Sequence, residues 1–122
     1  MRLTRLLSCF VLLYAMTALN AWAQNVTVNP GAGSYPTLKA AFDAINAGTH
    51  TGAITVSIVG NTDETTTSAV LNASGSGAAS YSSILITPVG ARTITGATTA
   101  GSPLIDLSGA DNVTIDGLNA SG

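Results

Sequence analysis

The sequence predicts an all-β fold, a parallel β-solenoid preceded by one α-helix. Three observations predict it: a single segment with helical period, apolar runs that alternate with period two from there on, and a gapless self-match late in the chain. The connections between runs are built mostly from Ser, Gly, Ala, Asn and Thr, as closely spaced strands require.

The first segment, MRLTRLLSCFVLLYAMTALNAWAQ, is set apart from the fold. Arg2 and Arg5 make a basic start, a mostly apolar run follows from Leu6 to Leu19, and Ala21-Trp22-Ala23 has the small residues of a leader-cleavage site. Residues 1–23 therefore read as a secretory signal peptide, with Gln24 as the first mature residue. The run is short against the roughly 20 residues that span a bilayer, so a retained anchor is the weaker reading. Lipidation at Cys9 is weaker too, because cleavage there leaves almost no apolar segment to engage export. A secreted or cell-surface location follows, with no membrane attachment after cleavage.

The mature part has no cysteine, so an exported chain of this kind has no disulfides to stabilise it. Its two cations, Lys39 and Arg92, stand against all six carboxylates of the chain, a formal charge of −4. That balance excludes a nucleic-acid partner. Only three aromatics remain, Tyr35, Phe42 and Tyr81, too few for a large aromatic-filled core.

Residues 24–52 read as a cap region and residues 53–122 as the first coils. A short strand runs from Asn25 to Asn29, then Pro-Gly-Ala-Gly-Ser turns the chain. Over 37–47, Leu38, Ala41, Phe42 and Ile45 recur at i, i+3, i+4 and i+7 and share one helix face, with Lys39, Asp43 and Asn46 toward the other. Thr37 can accept a bond from a free first-turn amide, and Gly48 supplies a left-handed stop. Beyond the helix, Ile54, Val56 and Ile58 share one strand face, a second run spans Thr65 to Leu71, and Asn72 to Ser83 is a small-residue loop.

In the self-match, Ile84, Ile86, Ile94 and Gly96 fall on Ile105, Leu107, Ile115 and Gly117 at one constant offset and without a gap. Stacked coils would place these residues in inward ladders, since no single coil can bury its apolar side alone. A β-sandwich is the competing arrangement. The very short strands and the scarcity of Asn-Gly or Asp-Gly hairpin turns, Asp116-Gly117 excepted, speak against it.

The segment GSYPTLKAAFDAINAGTHTGAITVSIVGNTDET, residues 33–66, resembles the N-terminal cap of right-handed parallel β-helix proteins of the pectin lyase-like superfamily. It is nearest to pectinesterase openings, with Tyr35, Thr37, the helix, the strand Ile54 to Ile58, and Gly60 with Glu64 in the matching places. GADNVTIDGL, near the C-terminus, resembles the coil repeat of large bacterial surface proteins with this fold. The resemblance implies a right-handed helix with an N-terminal capping α-helix. Because a solenoid needs a polar cap at its far end and residues 119–122 read as neither a helix nor a charged edge, the fold is expected to be incomplete at its C-terminus and continued by further coils of the same full-length protein. Thr62 stands where pectinesterases usually carry an aromatic, and none of their catalytic carboxylates, glutamine or arginine is matched.

No constellation in the residues calls for a cofactor. Asp106, Asp111 and Asp116 recur at even spacing and are weak calcium candidates, since calcium wants six to eight converging oxygens. Adjacent Asp63 and Glu64 should face opposite sides of a strand, which excludes a carboxylate pair. His50, in Gly48-Thr-His-Thr-Gly52, reads as an exposed loop residue without a positioned partner, and a zinc site lacks other ligands. The sequons at Asn25, Asn72, Asn112 and Asn119 matter only in a glycosylating pathway. The expected function is non-catalytic adhesion to, or contact with, carbohydrate or a cell-surface polymer. The competing expectations are the N-terminal end of a polysaccharide-active enzyme and a structural spacer.

Overall fold

A computed structural model of the protein describes residues 23–31 and 34–117. The leader assigned to residues 1–23 lies outside them except for Ala23, and so do residues 118–122. Among the described residues, eight strands and one helix follow in the order β1 (Gln24–Val28), α1 (Leu38–Asn46), β2 (Thr51–Ile58), β3 (Thr62–Asp63), β4 (Ala69–Asn72), β5 (Ser80–Pro88), β6 (Ile94–Thr95), β7 (Ile105–Ser108) and β8 (Val113–Ile115). All named strand pairs are parallel and fall into three sheets, β1-β2-β5-β8, β3-β6 and β4-β7. The chain thus visits three faces in turn, β2, β3, β4 and then β5, β6, β7, before β8 begins again on the first. This is a β-solenoid of about three turns.

Alternation carries the first face. Val26, Val56, Ile86 and Ile115 pair in succession, as do Ile54, Ile84 and Val113, and their side chains point inward. Thr55, Leu85 and Thr114 form the intervening outward ladder. Val56 is fully buried and Ile54, Ile58, Ile84 and Ile86 nearly so, as the period-two pattern requires.

The register of the self-match is corrected. Ile84 pairs with Val113 and Ile86 with Ile115, while Ile54 pairs with Ile84 and Thr62 with Ile94. Ile105 stacks on Ala69 and Leu107 on Leu71. The self-match laid β5 over β7 and β6 over β8, which lie on different faces, so its offset is shorter than one full coil. Every face is a short alternating strand with a small-residue turn, so faces resemble one another as closely as successive coils do. Two boundaries also move. The second run begins at Ala69 instead of Thr65, because Thr65 turns the chain with φ 58°. The loop after Asn72 ends sooner, because Ser80 and Tyr81 already pair with Thr51 and Gly52.

The helix forms as its pattern requires. Thr37 Oγ1 accepts from Ala40 N at 3.1 Å, and Leu38, Ala41, Phe42 and Ile45 are all fully buried. Gly48 has φ 73°, and a Cβ there would lie 2.6 Å from the Ala78 carbonyl oxygen, so both conformation and space demand glycine. Lys39 pairs with Asp43 across one helical turn at 2.6 Å, on the exposed side. Asn46 departs from expectation. One turn on from Phe42, it flanks the apolar stripe and reaches β4, where its amide donates to Val70 O (2.9 Å) and accepts from Asn72 N (3.0 Å). One side chain thus supplies the edge of β4 with the pair of bonds a neighbouring strand would give. Among the described residues no helix is long and apolar enough to cross a membrane.

Candidate functional site

Position 64 holds the most deeply committed charge. Glu64 is 2% exposed; its Oε1 accepts from Leu38 N at 2.9 Å and its Oε2 from Lys39 N at 2.7 Å. Together with Thr37, it satisfies three first-turn amides that have no partner within the helix, and it sets a negative charge at the positive end of α1. No acidic residue lies in the first turn of α1 itself. Asp63, its neighbour, is exposed and accepts from Thr65 N at 2.8 Å. The two carboxylates therefore face opposite ways, one holding a helix and one facing solvent, and they do not form a pair.

Outside β3 and β6 lies a cleft of about 380 Å³ lined by Asp63, Thr65, Thr66, Thr95, Gly96 and Ala97. Its shape follows from local chemistry. The Asp63 turn and the bond from Ala97 N to Thr65 O (2.6 Å) hold Thr65 in the left-handed region, which a β-branched residue rarely enters. Thr95 Oγ1 donates back to Thr62 O at 3.0 Å. A Cβ at Gly96 would point inward, toward Leu104 Cδ1 at 2.6 Å and Glu64 Cβ at 3.4 Å, so the cleft meets the backbone of Gly96. What results is an open, shallow concave surface, mostly apolar carbon, edged by threonine hydroxyls and one carboxylate that can hydrogen-bond a polar, hydroxylated ligand.

A second cavity of about 200 Å³ lies between β5, β6 and β8, lined chiefly by Ile58, Ile86, Ile94, Ile115, Arg92 and Asp116. Four of its walls belong to the inward ladder, and it opens to solvent beside the exposed Arg92, Ile115 and Asp116.

His50 contradicts its sequence reading. It is half-buried, Tyr35 Oη lies 2.8 Å from Nε2, Gln24 Oε1 lies 3.1 Å from Nδ1, and the Tyr35 ring meets it edge-on at 5.7 Å. Parallel pairing of β1 with β2 brings Gln24 near His50, and a bridge from Val28 to Tyr35 folds the tyrosine back beside it. Both partners are distant in sequence, which no local motif announces.

The three aspartates are spread out. Asp106 is on β7, Asp111 in the turn that follows and Asp116 beyond β8. Among the described residues, no three histidine, cysteine or carboxylate side chains gather as a cation would need. Of the residues assigned to inward ladders, Ile84 and Ile86 are buried and Ile94 and Ile105 half-buried, whereas Leu107 and Ile115 are 40% and 53% exposed. Burial of Tyr81, whose hydroxyl donates to Asn72 O at 2.5 Å, raises its pKa above the ordinary tyrosine value; the Ser74 bond opposes this and the Asp111 charge adds to it. Sequence reading missed Glu64 as a helix anchor, Asn46 as a strand mimic and the cleft residues around Thr65. Only Glu64 left a signal, its spacing from Gly60 after a strand.

Compared with models of known protein families, with curated proteins and with solved structures, the chain matches none.

Proposed function

We propose that this is an exported, non-catalytic solenoid that contacts carbohydrate or a cell-surface polymer through the Asp63–Thr95 cleft. In this reading residues 1–23 are a leader removed on export, the coil is right-handed, and α1 is its N-terminal cap, as in the pectin lyase-like proteins that residues 33–66 resemble. The observation that carries the proposal is the cleft: threonine hydroxyls, one exposed carboxylate and a backbone held in a strained conformation at Thr65. A sugar ring presents hydroxyls that these groups can hydrogen-bond, and such a preset surface binds with little ordering cost.

Titrating the protein with soluble polysaccharides, polygalacturonate among them, tests the idea by calorimetry. Binding that weakens about tenfold in Asp63→Ala and in Thr66→Ala, at unchanged melting temperature, is expected for the loss of one or two polar contacts. Binding that ignores both substitutions, or none to any polymer, contradicts it. The resemblance to pectinesterase openings at Gly60 and Glu64 supports a second reading, the N-terminal end of a polysaccharide-active enzyme. Release of new sugar ends or of methanol from pectin by this chain would favour it.

A further inference from the structure

The group formed by Gln24, His50, Tyr35 and Thr51 is left unused by the cleft. Two donors meet on one atom there. Gln24 Oε1 lies 3.1 Å from His50 Nδ1 and accepts from Thr51 N at 3.4 Å. A backbone amide only donates, so the Gln24 atom facing it is the carbonyl oxygen. A carbonyl oxygen only accepts, so His50 carries its proton on Nδ1. In a neutral ring Nε2 is then an acceptor, and the contact at 2.8 Å is the Tyr35 hydroxyl donating to it. The side-chain carbonyl of Gln24 is thus polarised by two N–H groups, one of them on an imidazole oriented by Tyr35.

The direction of the side chain matters as well. Gln24 pairs with Ile54, which lies beyond Thr51 along the parallel β2. To reach Thr51 N and His50, the Gln24 side chain leans back against the chain direction, toward the side of its own α-nitrogen.

We propose that Gln24 is a modification site: once residues 1–23 are removed, it closes on its own α-amino group to a pyroglutamyl ring, with His50 and Thr51 assisting. This rests on the leader reading under Proposed function, because only a terminal Gln24 has a free amine. In the step, the α-ammonium first gives a proton to solvent, its freed lone pair attacks Cδ, and the carbonyl π pair moves onto Oε1. The two donors stabilise the developing oxyanion as an oxyanion hole does. A proton passes from the α-nitrogen to Nε2, the pair on Oε1 returns to re-form the carbonyl as the Cδ–Nε2 bond breaks, and ammonia leaves. No oxidant, metal or second substrate takes part. The lactam keeps Oε1 as a carbonyl oxygen able to accept from His50 and Thr51, while the terminal ammonium at the start of β1 becomes a neutral amide. That removes a charge close to Val26, which is 1% exposed.

The test uses the full chain with a protease-cleavable sequence placed directly before Gln24, cut after purification, with ring closure followed as loss of one ammonia in the intact mass. Closure in the folded protein is expected to run at least about tenfold faster than in the same cut chain held unfolded in guanidinium chloride, a modest gain for two long donor contacts. His50→Phe, which keeps an aromatic ring without a donor, should lose most of that difference. Mature protein recovered from an exporting host should begin with the closed ring. A folded rate equal to or below the unfolded rate overturns the proposal whatever happens on export. Exported protein that starts at another residue overturns the leader reading, and with it the ring as a natural modification.

Discussion

The two ends of the solenoid are made of the same ladders and treat them differently. At the helix end, Phe42, Leu38 and Ile45 are fully buried, Asn46 supplies β4 with strand-like bonds, and Glu64, next to β3, accepts from the first helix amides. At the other end, Val113 is half-buried and Ile115 and Leu107 are 53% and 40% exposed, although they continue ladders in which Ile84, Ile86 and Leu71 are buried. Burial along a solenoid is set by neighbours on both sides, so identical inward positions differ in energetic weight according to where they stack.

The largest effect should come from breaking the helix end. Phe42→Asp places an unpaired charge among fully buried residues and should cost several kcal/mol, enough to unfold a chain with so thin a core. Asp43→Ala, one residue away on the exposed side, should cost about 0.5 kcal/mol or less. Thermal melts of the two variants check this, and equal midpoints would remove α1 from the stability account.

Glu64→Ala should follow at about 2–4 kcal/mol, because it leaves the Leu38 and Lys39 amides without partners at the positive end of the helix. Glu64→Gln, which keeps an acceptor oxygen, should recover part of the loss. Chemical denaturation of the three proteins in parallel reads the order directly. A Glu64→Ala midpoint equal to the parent's would show that the two bonds contribute nothing net.

Within a single ladder the comparison sharpens. Ile86→Ala should cost about 3 kcal/mol and Ile115→Ala under about 1 kcal/mol, since the second side chain has already kept half its contact with water. Amide exchange should show the same gradient, slow across β2 and β5 and fast across β8. Equal costs at both positions would mean that β8 is covered in solution.

The smallest effect should be favourable. Thr62 Oγ1 is buried with no partner among the described residues, so Thr62→Val, nearly the same shape, should be neutral or stabilise by up to about 1 kcal/mol. A loss of more than that would reveal a partner for the hydroxyl.

The helix and the face of β2 were legible in the sequence because both depend on local period, and Leu38, Phe42, Ile45, Ile54, Val56 and Ile58 are buried as that period requires. Strand stacking was legible as a type and not as a register. Which strand lies over which depends on the loops after Asn72 and Thr95, whose lengths no period records. The cleft was illegible for a related reason: Asp63 and Thr95 are paired across β3 and β6, a full coil apart along the chain. His50 looked solitary because both of its partners arrive through the pairing of β1 with β2 and the return of Tyr35 to Val28.

The central claim is that three faces make one coil, so that β8 lies over β5 and β7 over β4, and outward-facing cysteine pairs test it most directly. In a Cys9→Ser background, Leu85→Cys with Thr114→Cys puts two thiols on paired positions of β5 and β8. Adjacent parallel strands hold their Cα atoms within the range a disulfide spans. Leu85→Cys with Asp106→Cys represents the register of the self-match instead. The account predicts rapid intramolecular oxidation of the first pair and none of the second, read by intact mass under dilute oxidant. Efficient closure of the second pair with an open first pair would contradict the three-faced coil.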